Sequence, residues 1–223
     1  THGSLDTMRR FLDAVGPELE FCQIQLNWLD WSFQNAKEKV ELLKEYHLPV
    51  WVMEPVRGGR LVNLPEDVSA RLRALRPDTA APEWAFRFLQ TIPEVTMTLS
   101  GMSNMEQLQE NIRTYESERP LAPAEWDELQ AAAADLIHKN LIPCTGCRYC
   151  TEKCPRQIDI PDMLSMYNDH FLTGEGKISV RFLAGVPEGR RPGDCLGCRA
   201  CEGACPQNIK ISEVMAKFAR CIV

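Results

Sequence analysis

The chain has 223 residues, 44% hydrophobic and 25% charged, enough for one large domain or two small ones of ordinary globular composition. A net charge of −6 and a pI near 5.3 exclude a surface built to grip nucleic-acid phosphates. No apolar run approaches the roughly 20 residues that span a bilayer, and no signal peptide is visible, although a chain that opens on Thr1 is expected to lack its natural start.

From the first residues onward, two periods alternate. Leu5, Met8, Phe11, Leu12 and Val15 form one face of a helix, with Ser4 as its N-cap. Phe21–Asn27 reads as extended. Gln34–Tyr46 reads as a helix stopped by His47-Leu48-Pro49. Val50-Trp51-Val52-Met53 is a continuous apolar run, expected to be a strand buried on both faces. Pro82–Gln90 is a helix with proline in its first turn, and Val95–Leu99 is a further β-branched run. Ser103-Asn-Met-Glu106 reads as a capping box opening a helix through about Tyr115. Helices alternating with strands in this way predict parallel pairing through helical crossovers.

Glu118-Arg-Pro-Leu-Ala-Pro marks a linker, and an alanine-rich helix follows over Pro123–Lys139. The expected division is 1–117, a connecting segment 118–141, and a cysteine-rich part 142–223. Within the last, Ile160–Tyr167 reads as a helix, Gly174–Gly176 as a turn, and Ser212 as the cap of a final helix reaching about Arg220.

Ten cysteines would suit a secreted disulfide scaffold, but eight of them fall in two runs, CTGCRYCTEKCP from Cys144 and CLGCRACEGACP from Cys195. That distribution predicts metal ligation in a reducing cytoplasm. Zinc prefers four tetrahedral ligands, usually as two separated CxxC pairs, and fits these runs poorly. A [4Fe–4S] cube fits better. C-x2-C-x2-C wraps one side of it, and so short a loop leaves the fourth ligand to come from elsewhere. Pro155 and Pro206 turn the chain away from the metal, while Gly146 and Gly197 leave backbone amides free to approach sulfur.

Over about 142–215 the chain resembles the bacterial two-cluster ferredoxins, with a longer insert of some 40 residues between the motifs. In that family the cysteine before the proline ligates the other cluster. The resemblance therefore implies Cys144, Cys147, Cys150 and Cys205 on one cube, and Cys195, Cys198, Cys201 and Cys154 on a second. Arg148, Lys153, Arg199 and Lys210 either offset cluster charge, dock an acidic electron donor, or are plain solvated surface.

QIQLNWLD (Gln23–Asp30), PVWVMEPVRGGRL (Pro49–Leu61) and LSGMSNMEQLQENI (Leu99–Ile112) resemble the last strands of an aldo/keto reductase. The resemblance is strongest to oxidoreductases in which such a barrel carries a C-terminal ferredoxin-type domain. It implies an α/β fold: the C-terminal part of a (β/α)8 TIM barrel joined to a helical ferredoxin-like domain with two [4Fe–4S] clusters. Phe21–Asn27, Val50–Glu54 and Val95–Ser100 would be strands six to eight, with Thr1-His2-Gly3 leaving strand five.

On the same resemblance, Gln23 meets the nicotinamide amide, Glu110 and Asn111 contact the adenine end, and the amides around Ser103–Met105 take a phosphate. Met53 replaces the aromatic that stacks on nicotinamide. Gly101 and Gln107 replace the basic residues that grip a 2′-phosphate, which leaves NADH, NADPH or another cofactor open. The family's Asp-Tyr-Lys-His catalytic group belongs to strands one to four, so no catalytic residue is named, and the missing N-terminal half of the barrel becomes an expected partner.

The implied function is an iron–sulfur oxidoreductase. It would move electrons between its clusters and a barrel-bound cofactor or a carbonyl or alcohol substrate, with a flavin in the barrel or on a partner splitting hydride pairs into single electrons. A non-catalytic electron carrier and a cluster-dependent scaffold or sensor are the alternatives. The other polar and aromatic residues have plainer readings. Arg57-Gly-Gly-Arg60 is either an anion fork or a solvated loop. Trp28, Trp31 and Trp51 read as packing, and Cys22 and Cys221 as small hydrophobes. The four histidines show no ligand spacing.

Overall fold

The computed structural model describes residues 1–138, 141–173 and 183–222; the turn expected at Gly174–Gly176 lies outside them. The chain divides into two compact units, Gly3–Ile137 and His138–Val223.

The first unit is built on a parallel sheet, with β1 (Cys22–Gln25), β2 (Val50–Met53) and β3 (Val95–Thr98) in that order. Cys22 pairs with Val50 and Gln25 with Met53; Val50 pairs with Val95, and a bulge then places Trp51 opposite Met97. Paired residues in a parallel ladder share a face. Ile24, Val50 and Val52 are wholly buried on one face, where α3 (Ala36–Glu45) packs on β1 and α5 (Ala81–Gln90) on β3. The opposite face carries Gln23, Gln25, Trp51, Met53 and Met97. Trp51 and Met53 are only half-buried, and Met97 is exposed. β2 is therefore buried on one face, not both. The apolar run alone did not distinguish the two cases, because Trp51 is apolar yet shielded chiefly by stacking on Phe21, with ring centroids 3.6 Å apart.

Helix α1 (Leu5–Val15) begins as expected, with the Ser4 hydroxyl accepting from the Thr7 amide at 3.2 Å. Two helices without strong apolar periodicity were not foreseen: the single turn α2 (Asp30–Phe33) and α4 (Glu66–Leu75), which Pro65 precedes. The capping box at Ser103 sits one residue later. The N-cap of α6 (Met105–Glu116) is Asn104, which accepts from the Gln107 amide at 2.9 Å, while the Gln107 carboxamide accepts from the Ser103 amide at 2.8 Å. Asn outcompetes Ser here because its oxygen reaches N3 from the extended backbone of residue 104. The tryptophans pack: Trp28 and Trp84 are buried, and Trp31 meets Phe88 and Trp126 edge-on.

Helix α7 (Pro123–His138), expected beside a linker, belongs to the first unit almost to its end. Proline opens it and Glu125 closes its cap, accepting from the Ala122 amide at 2.7 Å and from Arg76 Nη2 at 2.7 Å. Its neighbours Arg71–Glu128 and Arg71–Asp135 tie α4 to α7 at 2.5 and 2.6 Å.

In the second unit, α8 (Ile160–Thr173) and α9 (Ile211–Cys221) each follow one cysteine run. Among the described residues, no helix is long and apolar enough to cross a membrane.

The Arg76 pair and the Ala122 amide together lower the Glu125 pKa below the ordinary carboxylate value, against a smaller opposing effect of burial. A depressed carboxyl stabilises the fold above its unfolded pKa, and that stabilisation is lost as pH falls through the folded value. Glu125→Ala is expected to cost about 1–2 kcal/mol at pH 7. In urea unfolding of the first unit, the gap to wild type should narrow progressively below about pH 4.

Candidate functional site

Two kinds of site emerge, one in each unit. In the second unit the eight clustered thiols gather into two sets around separate recesses. Cys144, Cys147, Cys150 and Cys205 line one, and Cys154, Cys195, Cys198 and Cys201 line the other. The last cysteine of each run thus stands with the first three of the other.

The local backbone explains how so few residues do this. Gly146 and Gly197 take left-handed φ of 71° and 65°, Arg148 and Arg199 take 64° and 61°, and Gln157 and Asn208 take 52° and 53°. Each of these pairs lies 51 positions apart, as do Cys144 and Cys195. One 3₁₀ turn follows each third cysteine, Thr151–Lys153 and Glu202–Ala204. The Gly146 turn brings its amide 3.4 Å from Cys144 Sγ, an N–H donating to sulfur as glycine at that place allows.

The repeat extends past the cysteines, which the sequence motif alone did not show. Ile158 and Ile209, Ile160 and Ile211, Leu164 and Met215, and Tyr167 and Phe218 keep the same 51-residue offset, and all are buried in one core with Cys150 and Cys201. The Tyr167 and Phe218 rings lie 5.7 Å apart. The third thiol of each run is therefore buried in the core, the first is half-buried against it, and the second is half-buried (Cys147) or exposed (Cys198). Burial and neighbouring thiols push Cys150 up to about 12. Burial, with Cys154 and Cys195 adding to it, pushes Cys201 to about 11. Four thiols lining one apolar recess would not ionise together without positive charge among them, and a polynuclear iron core would supply it. Among the described residues no three Cys, His, Asp or Glu side chains are placed to hold a single metal ion, and none of the ten cysteines forms a disulfide.

The two repeats differ at their caps. Asp159 stands before α8, and its carboxylate accepts from the Asp162 amide at 3.4 Å. Lys210 occupies the matching place before α9 and has no acceptor, so Glu202 reaches over from the preceding turn, taking the Ser212 amide at 3.0 Å and its hydroxyl at 2.6 Å. Ser212 is thus a donor inside the first turn, not the N-cap.

In the first unit an open groove lies at the carboxyl ends of the strands and the start of α6. Gln23, Met53, Ser103, Glu110 and Asn111, chosen from separate parts of the sequence, all line it, together with Glu54, Gly101, Glu106 and Gln107. Asn111 is partly engaged, its amide donating to Ser100 Oγ at 3.3 Å.

A buried polar knot supports one wall. Asp30, with no exposed surface, accepts from Gln25 Nε2 at 2.8 Å, from Asn27 Nδ2 at 2.7 Å, and from Arg57 Nε at 3.1 and 3.2 Å. Asn27 Nδ2 also donates to the Glu54 carbonyl at 3.0 Å. Glu54 and Arg57 both sit at positive φ, so the knot fixes a turn that non-glycine residues adopt reluctantly. Arg57 is therefore neither an anion fork for a ligand nor a solvated loop residue; its carboxylate partner is the chain's own Asp30, and its guanidinium lies 5.4 Å over the Phe33 ring. Sequence reasoning missed this pair because the residues are 27 positions apart. The available signal was an Asp and an Arg each following a strand of the same parallel pair. Cys22 is half-buried, and burial raises its thiol.

Residues 143–210 match the 4Fe-4S dicluster domain family, so this segment binds [4Fe–4S] iron–sulfur chemistry. Among solved structures, the aldo-keto reductase AKR11C1 from Bacillus halodurans is similar in its holo form, with TM-score 0.47 and 22% identity over 58% of this chain and 48% of that one. Its apo form gives the same TM-score and identity and covers 49% of that chain. The chain thus spans about half the length of that reductase. No curated protein matches it.

Asp30→Ala leaves Arg57 buried without its counter-charge and is expected to destabilise the first unit by about 3–5 kcal/mol. Urea unfolding followed by tryptophan fluorescence measures this, and Arg57→Met with Asp30→Leu should recover part of the loss.

Proposed function

We propose that this chain is an iron–sulfur oxidoreductase module. In this reading it holds two [4Fe–4S] clusters and exchanges electrons between them and a redox cofactor, or a carbonyl or alcohol substrate, in the groove of the first unit. The single observation that carries the reading is the reciprocal gathering of thiols around two recesses. Cys144, Cys147, Cys150 and Cys205 would hold one cluster, and Cys154, Cys195, Cys198 and Cys201 the other. When bound, each supplies one-electron transfer. The chain's own part is to fix the thiolates, to donate the Gly146 amide to Cys144 Sγ, and to keep water from the inner side of each recess with Ile158, Ile160, Ile209 and Ile211.

For the first unit, the half-open face of the sheet and the groove at its carboxyl edge support the reading of a partial (β/α)8 barrel. Gln23, Met53 and the start of α6 would seat a nicotinamide cofactor. The Ser103 and Asn104 backbone would take its phosphates, and Glu110 and Asn111 its far end. A flavin, here or on a partner, would divide electron pairs. The remaining barrel strands, bringing the catalytic group, would come from outside the 223 residues, and a reducing compartment such as the cytoplasm suits ten thiols without a disulfide.

Anaerobic purification followed by iron and sulfide analysis tests the cluster reading. Wild type should carry about eight irons per chain. Cys205→Ala should fall to about four and lose the signal of the set lined by the first run, not of its own run, with Cys154→Ala doing the converse. Zinc in place of iron, or a Cys205→Ala chain that retains all its iron, refutes it. Nicotinamide binding is read separately by NADH fluorescence, with Gln23→Ala expected to weaken it several-fold.

A further inference from the structure

The two recesses differ in the cations that line them, and the repeat shows where the difference arises. At the recess of Cys144, Cys147, Cys150 and Cys205 the lining cation is Arg148, and it is tied to Asp159 at 2.7 Å and Asp162 at 3.1 Å. At the recess of Cys154, Cys195, Cys198 and Cys201, Lys153, Arg156 and Arg199 line the pocket together. All three are exposed, and among the described residues none makes an ion pair. At an offset of 51 positions, Lys153 and Arg156 correspond to Ala204 and Gln207, and Asp159 corresponds to Lys210. Three divergences between the repeats thus add positive charge, or remove its partner, at the same recess.

Nearby acids offset this only in part. Glu202, hydrogen-bonded to Ser212, is attracted by Arg199 and Lys210 without forming an ion pair with either, and Asp194 accepts from the Arg191 amide at 2.9 Å. Glu152, exposed beside Lys153, and Glu213, the exposed counterpart of Asp162, are the other acids there, and among the described residues neither pairs with the three cations. Leu196, which lines the same recess, is 58% exposed, and Cys198 is exposed as well, whereas its counterpart Cys147 is half-buried. An exposed apolar residue lining one recess with three cations that make no ion pair, beside an exposed thiol, is an anatomy suited to transient docking of a protein with opposite charge.

We propose that this rim, Lys153, Arg156 and Arg199 with Leu196, is the docking surface for an acidic one-electron carrier protein. The inference rests on the cluster reading above. In the exchange, the reduced carrier gives up one electron and becomes oxidised, and this domain gains that electron; no bond, proton or leaving group is involved. The contact should be salt-sensitive, because several exposed charges face each other.

The experiment uses the anaerobically purified whole chain and an acidic plant-type [2Fe–2S] ferredoxin as probe, with affinity measured by calorimetry between about 50 and 300 mM salt. Wild type is expected to bind and to weaken with salt. Lys153→Glu/Arg156→Glu/Arg199→Glu should weaken binding at least tenfold, while the same change in net charge on the first unit (Arg10→Glu/Lys37→Glu/Arg73→Glu) should not. If the reversal variant fails to retain iron, the Gln versions at the three positions replace it, with several-fold weakening expected. The proposal is overturned if wild type does not bind the ferredoxin, or if the rim variants bind as tightly as wild type. It is also overturned if they shift the reduction potential without altering binding, or if wild type binds only anionic phospholipid vesicles. Iron analysis separates the two levels: iron-loaded chain without docking removes this inference alone, whereas iron-free wild type removes the cluster reading as well.

Discussion

The second unit depends on an exchange of sulfur. Cys205 stands with the first run and Cys154 with the second, so neither recess has four thiols unless both halves of the repeat are folded together. The shared core enforces the same condition. A single repeat offers one helix and a few isoleucines, too little apolar surface to offset its chain entropy, whereas two repeats close Tyr167 on Phe218 and bury both third cysteines. Thiol geometry and hydrophobic burial thus impose one cooperative requirement.

In the first unit the arrangement is one-sided. Helices cover the face of Ile24, Val50 and Val52, while Gln23, Trp51 and Met53 look toward a broad groove. That groove keeps its shape because Asp30 and Arg57 spend their charges on each other inside the protein. Lys39, also buried, has its pKa pulled down by desolvation, with Asp30 opposing. Buried charge of this kind adds little net stability but specifies one loop path, the path that brings Glu54 and the two glycines after Arg57 to the rim of the groove.

Much of this was legible in the residues, for identifiable reasons. Cysteine spacing is read directly because a thiol has few structural roles at such density. Ser4 and the strand runs were visible through local chemistry that needs no distant partner. The five groove residues came only through a family resemblance, since Gln23 and Glu110 have no local signature. What escaped was non-local or weakly periodic: the Asp30–Arg57 pair, the half-open face of β2, helix α4, and the cap that Glu202 supplies because Lys210 cannot. The continuation of the repeat beyond the cysteines was hidden because Leu164 and Met215, or Tyr167 and Phe218, are similar in bulk but not in letter.

The interleaving also sets an order of biogenesis. As the polypeptide emerges from the ribosome, Cys154 is already present when Cys195, Cys198 and Cys201 appear, so that quartet is complete at residue 201. The quartet begun at Cys144 waits for Cys205. The run translated first is therefore finished last, and a nascent or prematurely terminated chain ending between residues 154 and 204 holds Cys144, Cys147 and Cys150 without their fourth thiol.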